Sequence, residues 1–192
     1  KFLFENTLKE IQQSNLAYVI SDGKTYGEKF SERINGAAAA IFQLGYQNLI
    51  IVGDDTPNLC ATYLLAAQNN FKNNTLTIGP SADGGSYLIS LNQESFINGV
   101  LENLDWQSHL FNKQLLSNLE KLNKSYQLLP KFIDLDSEVS ISIFLNQKAS
   151  NSFYNTLASI FSIPEEKVAQ EIISKESFIL NLTDRGPPQF VL

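Results

Sequence analysis

The chain has 192 residues, 43% hydrophobic and 11% aromatic, enough for one domain of ordinary size with a buried core. Fourteen basic against twenty acidic side chains leave a formal net charge of −6, which argues against a protein that coats nucleic acid with a basic face. A single cysteine, Cys60, and a single histidine, His109, exclude an internal disulfide and a histidine metal cage, so any metal is expected to be a hard cation on oxygen ligands.

In chain order, Leu3, Phe4, Leu8 and Ile11 stripe a short amphipathic helix over 3–13, and Leu16–Ile20 reads as a short buried strand. Phe30, Ile34, Ala37, Ala38 and Ile41 form the stripe of a helix that stops near Gly45. Leu49-Ile50-Ile51-Val52, closed by Gly53, is apolar without alternation, the pattern of an interior parallel strand covered on both faces. A helix over 56–69 turns Leu59, Tyr63, Leu64 and Ala67 inward. Strands at 75–78 and 86–91 flank the turn Gly79–Gly85, helical patterns follow at 108–123, and a short strand end is expected at Ile133–Asp136. The rest reads as helical, with Ser162 and Glu165 as a capping box before Val168, Ile172 and Ile173. The tail at Asp184–Pro188 is irregular because proline lacks an amide donor. Strands alternating with helices predict an α/β domain over 1–148 with a largely parallel sheet, and a C-terminal helical extension and tail over 149–192.

No apolar run reaches the roughly 20 residues of a membrane span. The start Lys1-Phe2-Leu3-Phe4 has no signal-peptide pattern, so the expected compartment is the cytoplasm. Three Asn-x-Ser/Thr triplets, at 73–75, 123–125 and 181–183, are then a consequence of an asparagine-rich composition. The chain contains no methionine, which is expected of a processed N-terminus or a missing first segment.

Three places could carry chemistry. Gly53-Asp54-Asp55-Thr56-Pro57 lies at the carboxyl end of the most apolar strand, where open α/β sheets bind ligands. Neighbouring carboxylates repel, so one of them gains from a cation; alternatively one Asp caps a helix opened by Pro57. The second place is the Gly79–Gly85 turn. There Asp83-Gly84-Gly85 sets a carboxylate beside two residues that let a ligand approach the backbone, or that make a tight connection. The third is the helix start near Lys24–Glu28. A phosphate loop would need glycine at 18, which is Tyr18, although the helix N-terminus can still receive an anion.

Taken together these segments resemble a known family. Tyr26–Phe30, Gly45–Leu59, Ile78–Ile89, Asp105–Ser108, Leu129-Pro130 and Asp134–Asp136 occur in the order found in the glycosyltransferase-A-like family that accompanies radical-SAM and selenodomain proteins. The resemblance covers roughly 20–145, and its sharpest parts are the Gly-x-Asp-x-Pro and Gly-Pro-x-x-Asp-Gly-Gly-x-Tyr-Leu segments. It implies the three-layer fold of nucleotide-diphospho-sugar transferases. It further implies a cation-dependent transfer from a nucleotide-activated sugar to a small-molecule acceptor, with no nucleic acid or membrane span involved. Asp55, with Asp136 as a further candidate, would face Mg or Mn, and Asp83 would orient the sugar or acceptor. Gly27, Gly53, Gly79, Pro80, Gly84, Gly85, Tyr87 and Trp106 would line the nucleotide and substrate side, although Trp106 also suits plain core packing. Relatives begin with a strand and a basic loop that cradle the nucleotide, and no counterpart precedes Lys1. The alternatives are a nucleotidyltransferase of the same fold, and a non-catalytic binding protein that lost the nucleotide site.

Overall fold

Striped helices and short apolar strands assemble into helices on both faces of one sheet. A computed structural model of the chain describes residues 1–21, 25–146, 152–161 and 178–183. The elements are α1 (Phe2–Gln13), β1 (Ala17–Ser21), α2 (Phe30–Gln43), β2 (Asn48–Gly53), α3 (Ala61–Phe71), β3 (Thr75–Pro80), β4 (Ser86–Asn92), α4 (Gln93–Ile97), α5 (Phe111–Lys121), β5 (Ser125–Leu128), α6 (Glu138–Asn146), α7 (Ser152–Phe161) and β6 (Phe178–Thr183). Gly45 takes φ +95 just past α2, so a residue without a Cβ ends that helix as expected. The capping box at Ser162 and Glu165 and the tail at 184–188 lie outside the described residues.

The sheet runs β1-β6-β2-β4-β3-β5. Side chains alternate across it, and the alternation along β2 divides the core in two. Leu49 and Ile51 pack with Ile34, Ala38 and Ile41 of α2 and with Phe111, Leu115 and Leu119 of α5. Ile50 and Val52 pack on the other face with Ile11 of α1 and Leu64 and Ala67 of α3. A third cluster, Leu135, Ile141, Phe144, Phe153 and Leu157, joins α6 and α7 to Phe2 and Leu3 at the start of α1. The three layers and the mixed α/β class are therefore as expected. Among the described residues, no helix is long and apolar enough to cross a membrane.

Strand pairing differs from the expectation. Leu49–Val52 is interior and buried, but both its neighbours, β4 and β6, are antiparallel to it. Among the described strands only β3 and β5 pair in parallel. A continuous apolar run reports helices on both faces and carries no information on strand direction. The short 81–85 connection folds β4 back on β3 as a hairpin, which places β4 between β2 and β3. Further corrections concern local elements. β1 is an exposed sheet edge, with Tyr18 and Ile20 open to solvent, rather than a buried strand. Residues 56–60 form a loop, and α3 begins only at Ala61. Ile133–Asp136 forms no strand ladder: a bridge between Ser81 and Phe132 precedes it, and the Leu135 amide donates to the Asp55 carbonyl. Phe178–Thr183, expected to be helical, is a strand inside the sheet.

Candidate functional site

The directions of the ladders make one rim. β1, β2, β3 and β5 all point the same way, so their carboxyl ends, and the loops that follow Gly53, Pro80 and Leu128, open on one side of the sheet. Asp54 and Asp55 follow β2, Asp83 follows β3, and Asp134 and Asp136 follow β5. Four backbone hydrogen bonds lock the loops together. The amide of Phe132 donates to the Pro80 carbonyl at 3.1 Å, and that of Ala82 to the Phe132 carbonyl at 2.7 Å. Leu129 donates to the Ile78 carbonyl at 2.9 Å, and Leu135 to the Asp55 carbonyl at 2.8 Å.

Asp55 is the most perturbed carboxylate of the rim. Burial pushes its pKa from 3.8 to about 7, and the like charges of Asp134, Asp54 and Asp136 add to the shift against the opposing pull of its own backbone amide. Asp134 is also raised, first by burial and then by Asp83 and Asp136; the hydroxyls of Ser81 and Thr56 work in the other direction. Thr56 Oγ1 donates to Asp134 Oδ1. Ser81 Oγ is buried beside Asp134 without a formed hydrogen bond. A Cβ added to Gly53 would stand 3.1 Å from Asp55 Oδ1, so the glycine lets the carboxylate fold back against the strand end. Neither aspartate caps α3: its N-cap is Cys60.

The donor set suits a hard divalent cation. Two half-buried carboxylates of like charge lose their mutual repulsion when a cation sits between them. Among the described residues, no three His, Cys, Asp or Glu side chains converge as a full cage. Mg does not require one, because it is commonly held by one or two carboxylates together with substrate phosphates and water.

The other expected residues fall into two groups. Asp83 is exposed at the rim, where its Oδ1 accepts from the Gly85 amide at 2.9 Å, and Asp136 is exposed nearby. Pro80 closes β3 at the same rim. The remainder are occupied by packing. A Cβ on Gly79 would fall 2.4 Å from the Tyr87 ring, and Tyr87, fully buried, donates its hydroxyl to the Pro130 carbonyl at 3.0 Å. Gly84, at φ +100, lies against the His109 backbone. Gly27 packs on Glu32, whose Oε2 accepts from the amides of Glu28 and Lys29, so the start of α2 is satisfied by its own side chain. Trp106 packs between Phe30 and Phe111, its ring centroid 5.6 and 4.6 Å from theirs. Asp134, Thr56 and Ser81 were not singled out from the sequence. The available signal was Asp134-Leu135-Asp136, where alternation about a buried leucine puts both carboxylates on the side opposite it.

With this geometry in hand, residues 8–108 match the family described as "Uncharacterized protein conserved in bacteria (DUF2064)". No curated protein matches the chain. Among solved structures, the chain is similar to a crystal structure from Desulfovibrio desulfuricans G20, a protein provisionally named a nucleotide-diphospho-sugar transferase. The two share 24% identity with a TM-score of 0.62, over 71% of this chain and 61% of that one. At that identity the likeness establishes the fold.

Proposed function

Because the chain belongs to the DUF2064 family, which matches just over half of it, and shares the fold described above, we propose that it is a divalent-cation-dependent transferase acting on a nucleotide-activated sugar. The observation that carries this reading is the pair of half-buried, mutually repelling carboxylates, Asp55 and Asp134, on the rim where the strand ends open. The finer kinship, with the glycosyltransferase-A-like proteins found beside radical-SAM and selenodomain proteins, is part of the same proposal.

In this reading Asp55 and Asp134 hold the cation, with Asp136 at the exposed edge of the site. Bound there, a Mg or Mn ion would supply charge neutralisation of the sugar donor's diphosphate and of the departing nucleoside diphosphate. Thr56 fixes the Asp134 carboxylate through its hydroxyl, and Leu135 fixes the Asp55 backbone. Asp83, anchored to the Gly85 amide, orients the sugar or the acceptor hydroxyl. The bond from the sugar's anomeric carbon to the diphosphate oxygen breaks, the bond to the acceptor oxygen forms, and the proton of the acceptor hydroxyl passes to solvent as the nucleoside diphosphate leaves.

Calorimetric titration with nucleoside diphosphates, with and without manganese, tests the proposal. Wild type is expected to bind only with the cation, and Asp134→Asn to weaken that binding at least about tenfold, the loss of one charged ligand. Binding that is indifferent to manganese and to Asp134→Asn would overturn it. With a competent acceptor, release of nucleoside diphosphate separates sugar transfer from nucleotidyl transfer, which releases pyrophosphate.

A further inference from the structure

Behind the Asp54–Cys60 loop, on the α1 side, lies a cleft of about 300 Å³, within the range of small-molecule sites. Asn6 and Lys9 reach it from α1, Asn58 and Cys60 from the loop, and the rings of Phe132 and Phe153 give it apolar walls. Both rings are held in place. Phe132 packs against Tyr63 and Tyr87 with centroids 5.6 and 5.1 Å away, and Phe153 stacks on Phe2 at 4.7 Å.

We propose that this cleft binds the acceptor of the transfer reaction, as a small organic anion with its apolar body on Phe132 and Phe153 and its anionic group on Lys9. Lys9 selects the sign of the group that it meets. Glu10 also borders the cleft, but its Oε2 already accepts from the Ala61 amide at 3.0 Å. Asn6 spends its amide on the Pro57 carbonyl at a loose 3.5 Å. Among the described residues Lys9 has no ion pair or hydrogen bond, so it is the cation of the lining left to pair with a ligand's anionic group. Position selects the role. The cleft shares both of its loops with the carboxylate pair: Pro57 lines it two residues after Asp55, and Phe132 two residues before Asp134. The Leu135–Asp55 backbone bond joins those loops. A molecule in the cleft therefore sits beside the rim that the preceding proposal gives to the sugar donor, and the acceptor role rests on that proposal.

Cys60 lines the cleft and is the only thiol in the chain, so its alkylation reports occupancy. Iodoacetamide labelling, followed by intact-mass measurement, would be run with benzoate, phenyl phosphate and neutral benzyl alcohol as probes. Benzoate, phenyl phosphate or both should slow labelling at least about threefold at millimolar concentration, and the one that does so names the anionic group; benzyl alcohol should not. Lys9→Gln should raise the concentration needed for protection about tenfold, and Asp55→Asn should leave protection intact. No protection by either anion, equal protection by benzyl alcohol, or full protection in Lys9→Gln would each overturn the proposal. Anion protection in a protein that fails to bind nucleoside diphosphate with manganese would sustain the anion site and remove the donor reading, and with it the acceptor role.

Discussion

Replacing Asp55 with asparagine is expected to make the protein more heat-stable above neutral pH while abolishing its cation-dependent binding of nucleoside diphosphate. The carboxyl group titrates at about 7 in the folded chain, against an ordinary value of 3.8. Between those values the native state keeps a proton that the unfolded chain has released. This contribution to stability is therefore largest on the acid side of the window, falls as pH rises from about 4 to about 7, and is flat above. At pH 8 wild type carries the cost of a half-buried charge facing Asp134 and Asp54, and asparagine removes the charge while keeping the shape. Solvent screens a half-buried carboxylate, so the gain stays below the full value of the shift, on the order of 1–3 kcal/mol, or a few degrees in Tm for a chain of this size. The measurement is a series of thermal melts of both proteins from pH 5 to pH 8, with and without manganese. Without the cation, the variant should gain on wild type as pH rises. Manganese should restore wild type at pH 8 and leave Asp55→Asn unchanged. Parallel pH profiles would show that Asp55 is not buried as a charge, and an equal manganese effect on both would remove it as a ligand.

Gly84→Ala is expected to cost about 2–4 kcal/mol, the larger of two losses in the glycine turn. A Cβ at this position would meet the His109 carbonyl oxygen at 2.3 Å and its Cα at 2.5 Å, both backbone atoms that cannot rotate away. The φ of +100 adds strain for any L side chain. The contact is structural because the Gly84 carbonyl accepts from the Asn112 amide at 2.9 Å, docking the turn on the first residues of α5. Gly85 differs. Its Cβ would lie 3.2 Å from Asp83 Oδ1, the end of a side chain on the exposed rim, and its φ is not in the left-handed region. Gly85→Ala should therefore lose no more than about 1 kcal/mol. Chemical denaturation of the two variants decides between these roles. If Gly84→Ala is as stable as wild type, the docking onto α5 is wrong. If Gly85→Ala stays folded but no longer binds donor or acceptor, the turn belongs to the site through Asp83 and Gly85, and Gly84 supports it from behind.

Some of this was determined by the sequence by itself. The stripe Ile34, Ala37, Ala38, Ile41 specifies α2, and the unbroken Leu49–Val52 run specifies a strand covered on both sides, because periodicity and burial are local properties of side-chain order. The Gly53-Asp54-Asp55 strand end and the glycine turn were recognisable as candidate chemistry for the same reason. The tertiary structure alone decided which strands adjoin, in which direction, and which carboxylates meet. An apolar strand packs equally well beside a parallel or an antiparallel neighbour, so β4 and β6 flanking β2 depends on chain reversals and long-range pairing. Asp134 is 79 positions from Asp55 in sequence, and nothing within either segment specifies their approach. It follows from β5 pairing in parallel with β3, which carries the chain after Leu128 back across the rim to the Asp55 backbone, where burial and like charge together raise the pKa of both carboxylates.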